Sequence, residues 1–331
     1  MALASVALFG CGGGTTDDGL TELNLLLDWK PQMEQAGFIT ADARGYYRDA
    51  GLSVTMHEGQ GATTTAAMVG SGQYGLGLSS GGATIIARSK GAAVVSLALI
   101  NQHSPTVIFA LKSTGIEEPA DLVGRRIGLT KTGVKYDEYR ALMNKLGIDR
   151  SGIEEVDLRK SVAPLLSGVV DAMLGYTEDQ PVLVELQGEE VVRIPMHQYG
   201  VDILSTNIIA NETFMHEHAE VCSAFVAASL RGWKYAVEHP EEAAGIYLER
   251  YPESSAEFVR ANFQQFRPIL FSGDTDSLGL GAQSLERFQA TETLLFELGI
   301  IQQRVDPAEA FTNRFLTGVR AEWPRESRTA E

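Results

Sequence analysis

Apolar positions along this chain follow two rhythms, one residue in two and one in three or four. Leu23 to Leu27 is a short apolar run, interrupted by Asn24, that suits a buried strand, and Ala36, Ile39 and Ala43 follow at helical spacing. Leu52, Val54 and Met56 alternate as a strand, and a Gly59-Gln60-Gly61 turn leads into a predicted helix over 62–69. Tyr74, Leu76 and Leu78 alternate again before a helix through Ile85 to Ala87, and Val94 to Ile100 and Thr106 to Leu111 complete the series. Strand–helix alternation of this kind predicts an α/β fold whose largely parallel sheet is covered by helices.

A second series starts after the loop from Gly115 to Pro119. It runs strand Arg126 to Leu129, helix Tyr136 to Leu146, strand Val156 to Leu158, helix Val162 to Leu166 and strand Ala172 to Gly175, with Val191 to Pro195 as its last strand. Val201 to Ala210 is extended and apolar enough to return the chain to the first series. The pattern therefore predicts two lobes, residues 21–112 with 205–331 and residues 113–204, joined by two crossings that serve as a hinge. From Glu212 to about Phe315 the spacing is helical, and His239-Pro240 marks a stop and restart.

Composition narrows the function classes. With 44% apolar and 21% charged residues in 331, the chain is globular, and its net charge of -16 repels a polyanion, so no nucleic-acid partner is expected. No window approaches the roughly 20 apolar residues of a membrane span. The first ten residues, MALASVALFG, are apolar and end at Cys11 before the pliable tract Gly12 to Gly19. That is the layout of a lipobox, with Gly10 at the cut and Cys11 as the lipidated new N-terminus. Residues 1–20 are thus expected to be a signal remnant and tether. No Lys or Arg precedes the apolar run, and a start upstream of Met1 would supply one. Cys222 is the other cysteine and is expected to be a small buried apolar residue. His216-Glu217-His218 has the wrong spacing for one helix face, so no metal is expected, and no cofactor either.

Candidate chemistry gathers at predicted strand ends. Ligands of open α/β sheets bind beyond the carboxyl ends of strands, where Asp28 and Trp29 fall. Trp29 offers a flat apolar face and Asp28 a charged acceptor, a pair suited to a planar ring with amino or ring N–H donors. Equally, Trp29 closes the core and Asp28 caps a turn. Gln60, in its Gly59–Gly61 turn, and Ser79-Ser80-Gly81 stand between strand and helix, where main-chain N–H groups hold an anionic or carbonyl group or simply form tight turns. Gln102 lies near the first crossing, and Lys131 and Tyr136 follow a strand of the second series.

The chain resembles a family on Asp28-Trp29-Lys30-Pro31, Ala36-Gly37 and Arg44-Gly45-Tyr46-Tyr47, with further matches at Asp121-Leu122, Gly124 to Gly128, Arg231 to Ala236 and Pro240 to Ala244. The family is that of the ABC-transporter substrate-binding proteins for thiamine-pyrimidine precursors, with riboflavin- and sulfonate- or nitrate-binding relatives. Gln32 and Gln35 replace its usual Asn and His. The resemblance, over about Leu23 to Leu316, implies a two-lobed periplasmic-binding-protein type II fold. It also implies that Tyr176 and Glu178 add an aromatic and an acidic group, so that Trp29 and Tyr176 sandwich a heterocycle; Tyr176 as a surface ring is the plain alternative. The expected function is a lipid-anchored extracytoplasmic solute-binding protein that closes on its ligand, with ABC permease and ATPase subunits as partners. A thiamine pyrimidine precursor comes first as ligand and riboflavin second, with sulfonate or nitrate as the alternative. The rival class, a thiamine-pyrimidine synthase, is opposed by Gln35 at the position of the synthases' consumed His and by the lack of their Cys-rich segment.

Overall fold

The computed structural model describes residues 14–158, 161–271, 275 and 279–316; Cys11, the expected lipid site, lies outside them. Ten strands among the described residues form two five-stranded sheets. The first contains β1 (Thr21–Leu26), β2 (Leu52–His57), β3 (Leu76–Ser80), β4 (Val94–Leu99) and β10 (Thr206–Asn211), in the order β2-β1-β3-β10-β4. In it β1 runs parallel to β2 and β3, whereas β10 is antiparallel to β3 and β4. The second contains β5 (Thr106–Leu111), β6 (Arg126–Leu129), β7 (Glu154–Asp157), β8 (Ala172–Tyr176) and β9 (Val191–Pro195), in the order β7-β6-β8-β5-β9. Here β6 is parallel to β7 and β8, and β5 is antiparallel to β8 and β9.

The first compact unit comprises the chain up to Gln102, Leu204–Tyr247 and the chain from Phe271; the second comprises His103–Ile203 and Leu248–Leu270. Three expectations change. The sheets are mixed rather than largely parallel. The first crossing falls at 102/103 rather than near Leu111, because β5 completes the second sheet and not the first. Residues 248–270 return to the second unit, so the chain passes between units more than twice. The cause is visible in β5: it is buried along nearly its whole length, and uniform apolarity reports burial without saying in which sheet.

Helices stand where spacing predicts them at α1 (Ala36–Ala43), α3 (Ala62–Gly70), α4 (Gly81–Ser89), α5 (Val134–Lys145) and α6 (Ala163–Leu166), and the short α2 (Tyr46–Asp49) and α7 (Gln180–Glu185) add to them. Then come α8 (Glu212–Glu217), α9 (Ala219–Glu238), α10 (Pro240–Arg250), α11 (Ala256–Phe263), α12 (Phe266–Leu270) and α13 (Leu285–Glu297). Pro240 opens α10, a position where its missing N–H costs nothing.

The 20-residue α9 is the spine of the first unit, burying Cys222, Phe225 and Trp233. It crosses α1 at two glycines. A Cβ on Gly232 would collide with the Gly37 carbonyl and stand 2.6 Å from the Ala41 Cβ, while a Cβ on Gly37 would run into the Trp233 ring. Trp233 meets Phe38 edge-on at 6.0 Å, and Tyr47 stacks on Phe225 at 5.4 Å. The cost of overpacking such a crossing is about 1–3 kcal/mol, so Gly232→Ala is expected to lower the urea midpoint. An unchanged midpoint would mean that α1 and α9 can part without penalty. Burial pushes the Cys222 thiol up to about 12, which suits an inert apolar filler.

Candidate functional site

Because β1, β2 and β3 are parallel, their carboxyl ends share one edge of the first sheet. The antiparallel pairings through β10 bring the end of β4 to the same edge. Asp28, Trp29, Gln60, Ser79, Ser80 and Gln102 all fall there, which is where the rule for open sheets puts a ligand. The turn after β2 is stitched to the end of β1. Gly61 donates its N–H to the Asp28 carbonyl at 2.7 Å, Gly59 donates to the Trp29 carbonyl at 3.3 Å, and the Thr65 hydroxyl donates to the Leu27 carbonyl at 2.9 Å. Gly59 packs so close to the Leu27 carbonyl that a Cβ would collide with it, and Gly61 has φ 113°, so both positions demand glycine.

Trp29 decides between the two roles open to it. Its side chain is not in the core: the residue is 43% exposed and has no ring partner among the described residues. Gln60 beside it is exposed, as are Thr63 and Thr64 in the first turn of α3, a helix that no side chain caps.

Asp28 is half-buried, and its Oδ1 accepts a hydrogen bond from Gln35 Nε2 at 2.9 Å. Burial pushes its carboxyl up to about 6, against the lowering pull of its own and Trp29's main-chain N–H groups and of Gln35. No Lys, Arg or His of the described residues forms an ion pair with it. Gln35 is fully buried, and its Oε1 accepts from the Gln32 N–H at 2.8 Å.

The other predicted residues of this edge are committed to the fold. The Ser79 hydroxyl donates to the Ala62 carbonyl at 2.8 Å, and Ser80 caps α4 by accepting from the Ala83 N–H at 3.1 Å. The N–H groups of Gly81 and Gly82 are taken by the Ser205 and Leu204 carbonyls, each at 3.0 Å, so the open amide cradle expected at Ser79-Ser80-Gly81 is filled by the chain itself. Gln102 is buried, donates to the Leu99 and Ala282 carbonyls at 2.9 and 3.1 Å, and accepts from Arg287 at 2.9 Å.

In the second unit the ends of β6 and β8 and the start of β5 share an edge. Lys131 is exposed there, and Tyr176 is half-buried with the Lys135 ammonium 4.1 Å from its ring centroid. The Tyr136 hydroxyl donates to Glu155 at 3.1 Å and accepts from Arg150 at 2.6 Å, while Glu178 is buried and its carbonyl accepts from the Asn262 amide. His103 sits 2.8 Å from Asp202 and stacks on His197 at 4.4 Å. Lys135 and Gln35 were not among the predicted site residues. Gln35 is seven positions from the carboxylate it touches, and only the tight 3-10 turn Met33–Gln35 brings it back. Among the described residues no group of three or more His, Cys, Asp or Glu is placed to hold a metal ion, and no helix is long and apolar enough to cross a membrane.

Comparison with known proteins completes the description. The family model described as NMT1/THI5 like matches residues 32–243, more than half of the chain. The formylaminopyrimidine-binding protein of Halalkalibacterium halodurans is 26% identical over 319 residues, covering 95% of this chain and 97% of that protein. The 4-amino-5-hydroxymethyl-2-methylpyrimidine phosphate synthase of Legionella pneumophila is 26% identical over 303 residues, covering 89% and 92%. Among solved structures, the periplasmic aliphatic sulphonate binding protein SsuA from Escherichia coli superimposes with a TM-score of 0.67 at 16% identity, covering 87% of this chain and 91% of that one. The fold is therefore that of the periplasmic binding proteins.

Proposed function

Because the chain belongs to the NMT1/THI5-like family, we propose that it is a solute-binding protein that captures a small heteroaromatic ligand bearing an amino or ring N–H donor. A thiamine pyrimidine precursor ranks first and riboflavin second. The observation that carries this is the exposed Trp29 ring beside a half-buried Asp28 carboxyl that has no ion pair among the described residues. Such a pair offers a stacking face and a strong acceptor, and a ligand that brings an N–H or a positive charge fills both demands. Gln60 is a further proposed contact of the first unit, and Lys131 and Tyr176 are proposed contacts of the second taken by itself. Delivery to an ABC permease and its ATPase, lobe closure as the capture step and lipid anchoring at Cys11 belong to the same proposal. They are supported by the binding-protein fold and by the lipobox pattern.

A second reading, synthesis of the pyrimidine, has the support of relatives named as synthases. An amide at Gln35 cannot supply the His that the resemblance assigns to that reaction, which favours binding. An alkanesulfonate is disfavoured at the Asp28 carboxyl, with which no Lys, Arg or His among the described residues forms an ion pair.

A thermal-shift screen of aminopyrimidines, flavins and alkanesulfonates tests the ligand class, since a ligand present at a hundredfold its Kd stabilises by about 2.7 kcal/mol. A shift with the sulfonate alone would sink the heteroaromatic reading. Acid should weaken the aminopyrimidine. Asp28 titrates near 6, and at pH 5 about one-tenth of it is ionised, so affinity is expected to be about tenfold lower at pH 5 than at pH 7.5. Calorimetry at the two pH values checks this, and equal affinity would remove the Asp28 carboxylate from the contact.

A further inference from the structure

We propose that Gln35 is a positioning residue for ligand selection: its locked amide compels the Asp28 carboxyl to act as an acceptor and so reserves that carboxyl for a ligand that donates. The inference deepens the binding function proposed above and rests on it.

The argument starts from the orientation of one amide. A side-chain amide has an accepting end and a donating end, and its rotation is settled by its partners. The Gln32 main-chain N–H lies 2.8 Å from Gln35 Oε1 and can only donate, so the oxygen must occupy that end. The amide nitrogen is then forced toward Asp28 Oδ1, 2.9 Å away, and it can only donate. Asp28 Oδ1 must therefore accept. Gln35 is fully buried, so water has no access through which to substitute for either partner.

The other groups that hydrogen-bond the Asp28 carboxyl are of the same kind. The main-chain N–H groups of Asp28 and Trp29 also favour its ionised form, and no described residue adds a countercharge. When ionised, this half-buried carboxyl holds a negative charge that no ion pair among the described residues neutralises. What remains to be satisfied is attraction to a donor. A cationic or amino-bearing heterocycle meets it, and a sulfonate or carboxylate would set like charge against like. Selection against anions is then built by a buried neutral residue one layer below the ligand.

Two substitutions test this on the full-length protein. Gln35→Met keeps the volume and removes the donor; Gln35→Glu keeps the acceptor toward Gln32 but faces Asp28 with a second carboxyl, so the two must share a proton. The first measurement needs no ligand: carbon-detected NMR titration of the Asp28 carboxyl. Its midpoint should move upward in Gln35→Met, and an unmoved midpoint would overturn the positioning role whatever the protein binds. The second is calorimetry with 4-amino-5-hydroxymethyl-2-methylpyrimidine and with an alkanesulfonate as probes. At pH 7.5 the aminopyrimidine should bind at least tenfold more weakly to Gln35→Met and Gln35→Glu than to the wild type. The gap for Gln35→Glu should narrow at pH 5, where its protonated carboxyl can donate as the amide does. Affinities within twofold of the wild type at pH 7.5 would overturn the selection role. Wild-type protein that binds the sulfonate and no aminopyrimidine would overturn the proposed function and the selection role together, while the ligand-free titration would still report on the positioning alone. Near-ultraviolet circular dichroism of both variants identifies a general loss of fold.

Discussion

Trp29→Ala is expected to melt at the wild-type temperature and to bind an aminopyrimidine about a hundredfold more weakly. Both halves follow from one fact, the 43% exposure of a ring that touches no other ring among the described residues. A tryptophan removed from a core leaves a cavity and costs about 3–5 kcal/mol of stability. Removed from the surface it leaves no cavity, and the fold has little to lose. For a ligand that stacks on it, the same ring is an anchor, and truncating an aromatic anchor at the centre of a contact costs about 2–4 kcal/mol, on the order of a hundredfold in Kd. Trp29→Phe keeps a flat face and should retain most of the affinity. Calorimetry and thermal melts of the two variants separate the effects. A Trp29→Ala protein that binds as the wild type does would remove Trp29 from the site, and one that melts far lower would make it part of the core after all.

The second large effect concerns stability. Glu138, on α5, is fully buried in the second unit, and burial pushes its carboxyl up to about 7. The Thr106 and Ser104 hydroxyls and the Ile203 N–H pull the other way, and the nearby Asp202 charge adds to the rise. The raised value means that the folded protein holds this proton more tightly than the unfolded chain does. The stabilisation is therefore complete below the unfolded value of 4.5 and is lost as pH rises through about 7. A shift of this size corresponds to about 3 kcal/mol. An amide in place of the Glu138 carboxyl would keep a carbonyl for the Ile203 N–H without ever carrying charge. Glu138→Gln is thus expected to match the wild type at pH 4 and to exceed it by up to about 3 kcal/mol at pH 8. Urea melts of the two proteins across that range give the difference directly. Because Asp28 titrates in both, its contribution cancels, and parallel curves would show that Glu138 does not hold the proton.

Much of this was legible in the sequence because hydrophobic period reports burial one residue at a time. The apolar centre of the first strand, the helix from Ala62, the break at His239-Pro240 and the inert Cys222 all follow from local spacing and from residue type. The Asp28-Trp29 pair could be placed at a strand end for the same reason. What the spacing could not supply was partnership across distance. β5 is buried on both faces wherever it pairs, so its sheet was set by the antiparallel ladders to β8 and β9. Ser80 reads as a ligand contact until the Ala83 N–H is seen on its hydroxyl and the Leu204 and Ser205 carbonyls are seen on the amides that follow. Gln102 reads as a polar group at a crossing until both donors of its amide are seen on Leu99 and Ala282 and its oxygen on Arg287.

By itself, then, the sequence determined the α/β class, the order of most elements and the acidic, aromatic character of the strand end at Asp28 and Trp29. These depend on composition and on neighbours a few residues away. Tertiary structure alone decided which side chains are spent on the chain and which are not: Trp29 exposed, Ser80 and Gln102 consumed, Gln35 turned toward Asp28. The physical reason is that hydrogen-bonding capacity is finite and is filled by whatever the fold brings near, and sequence spacing does not record what that will be.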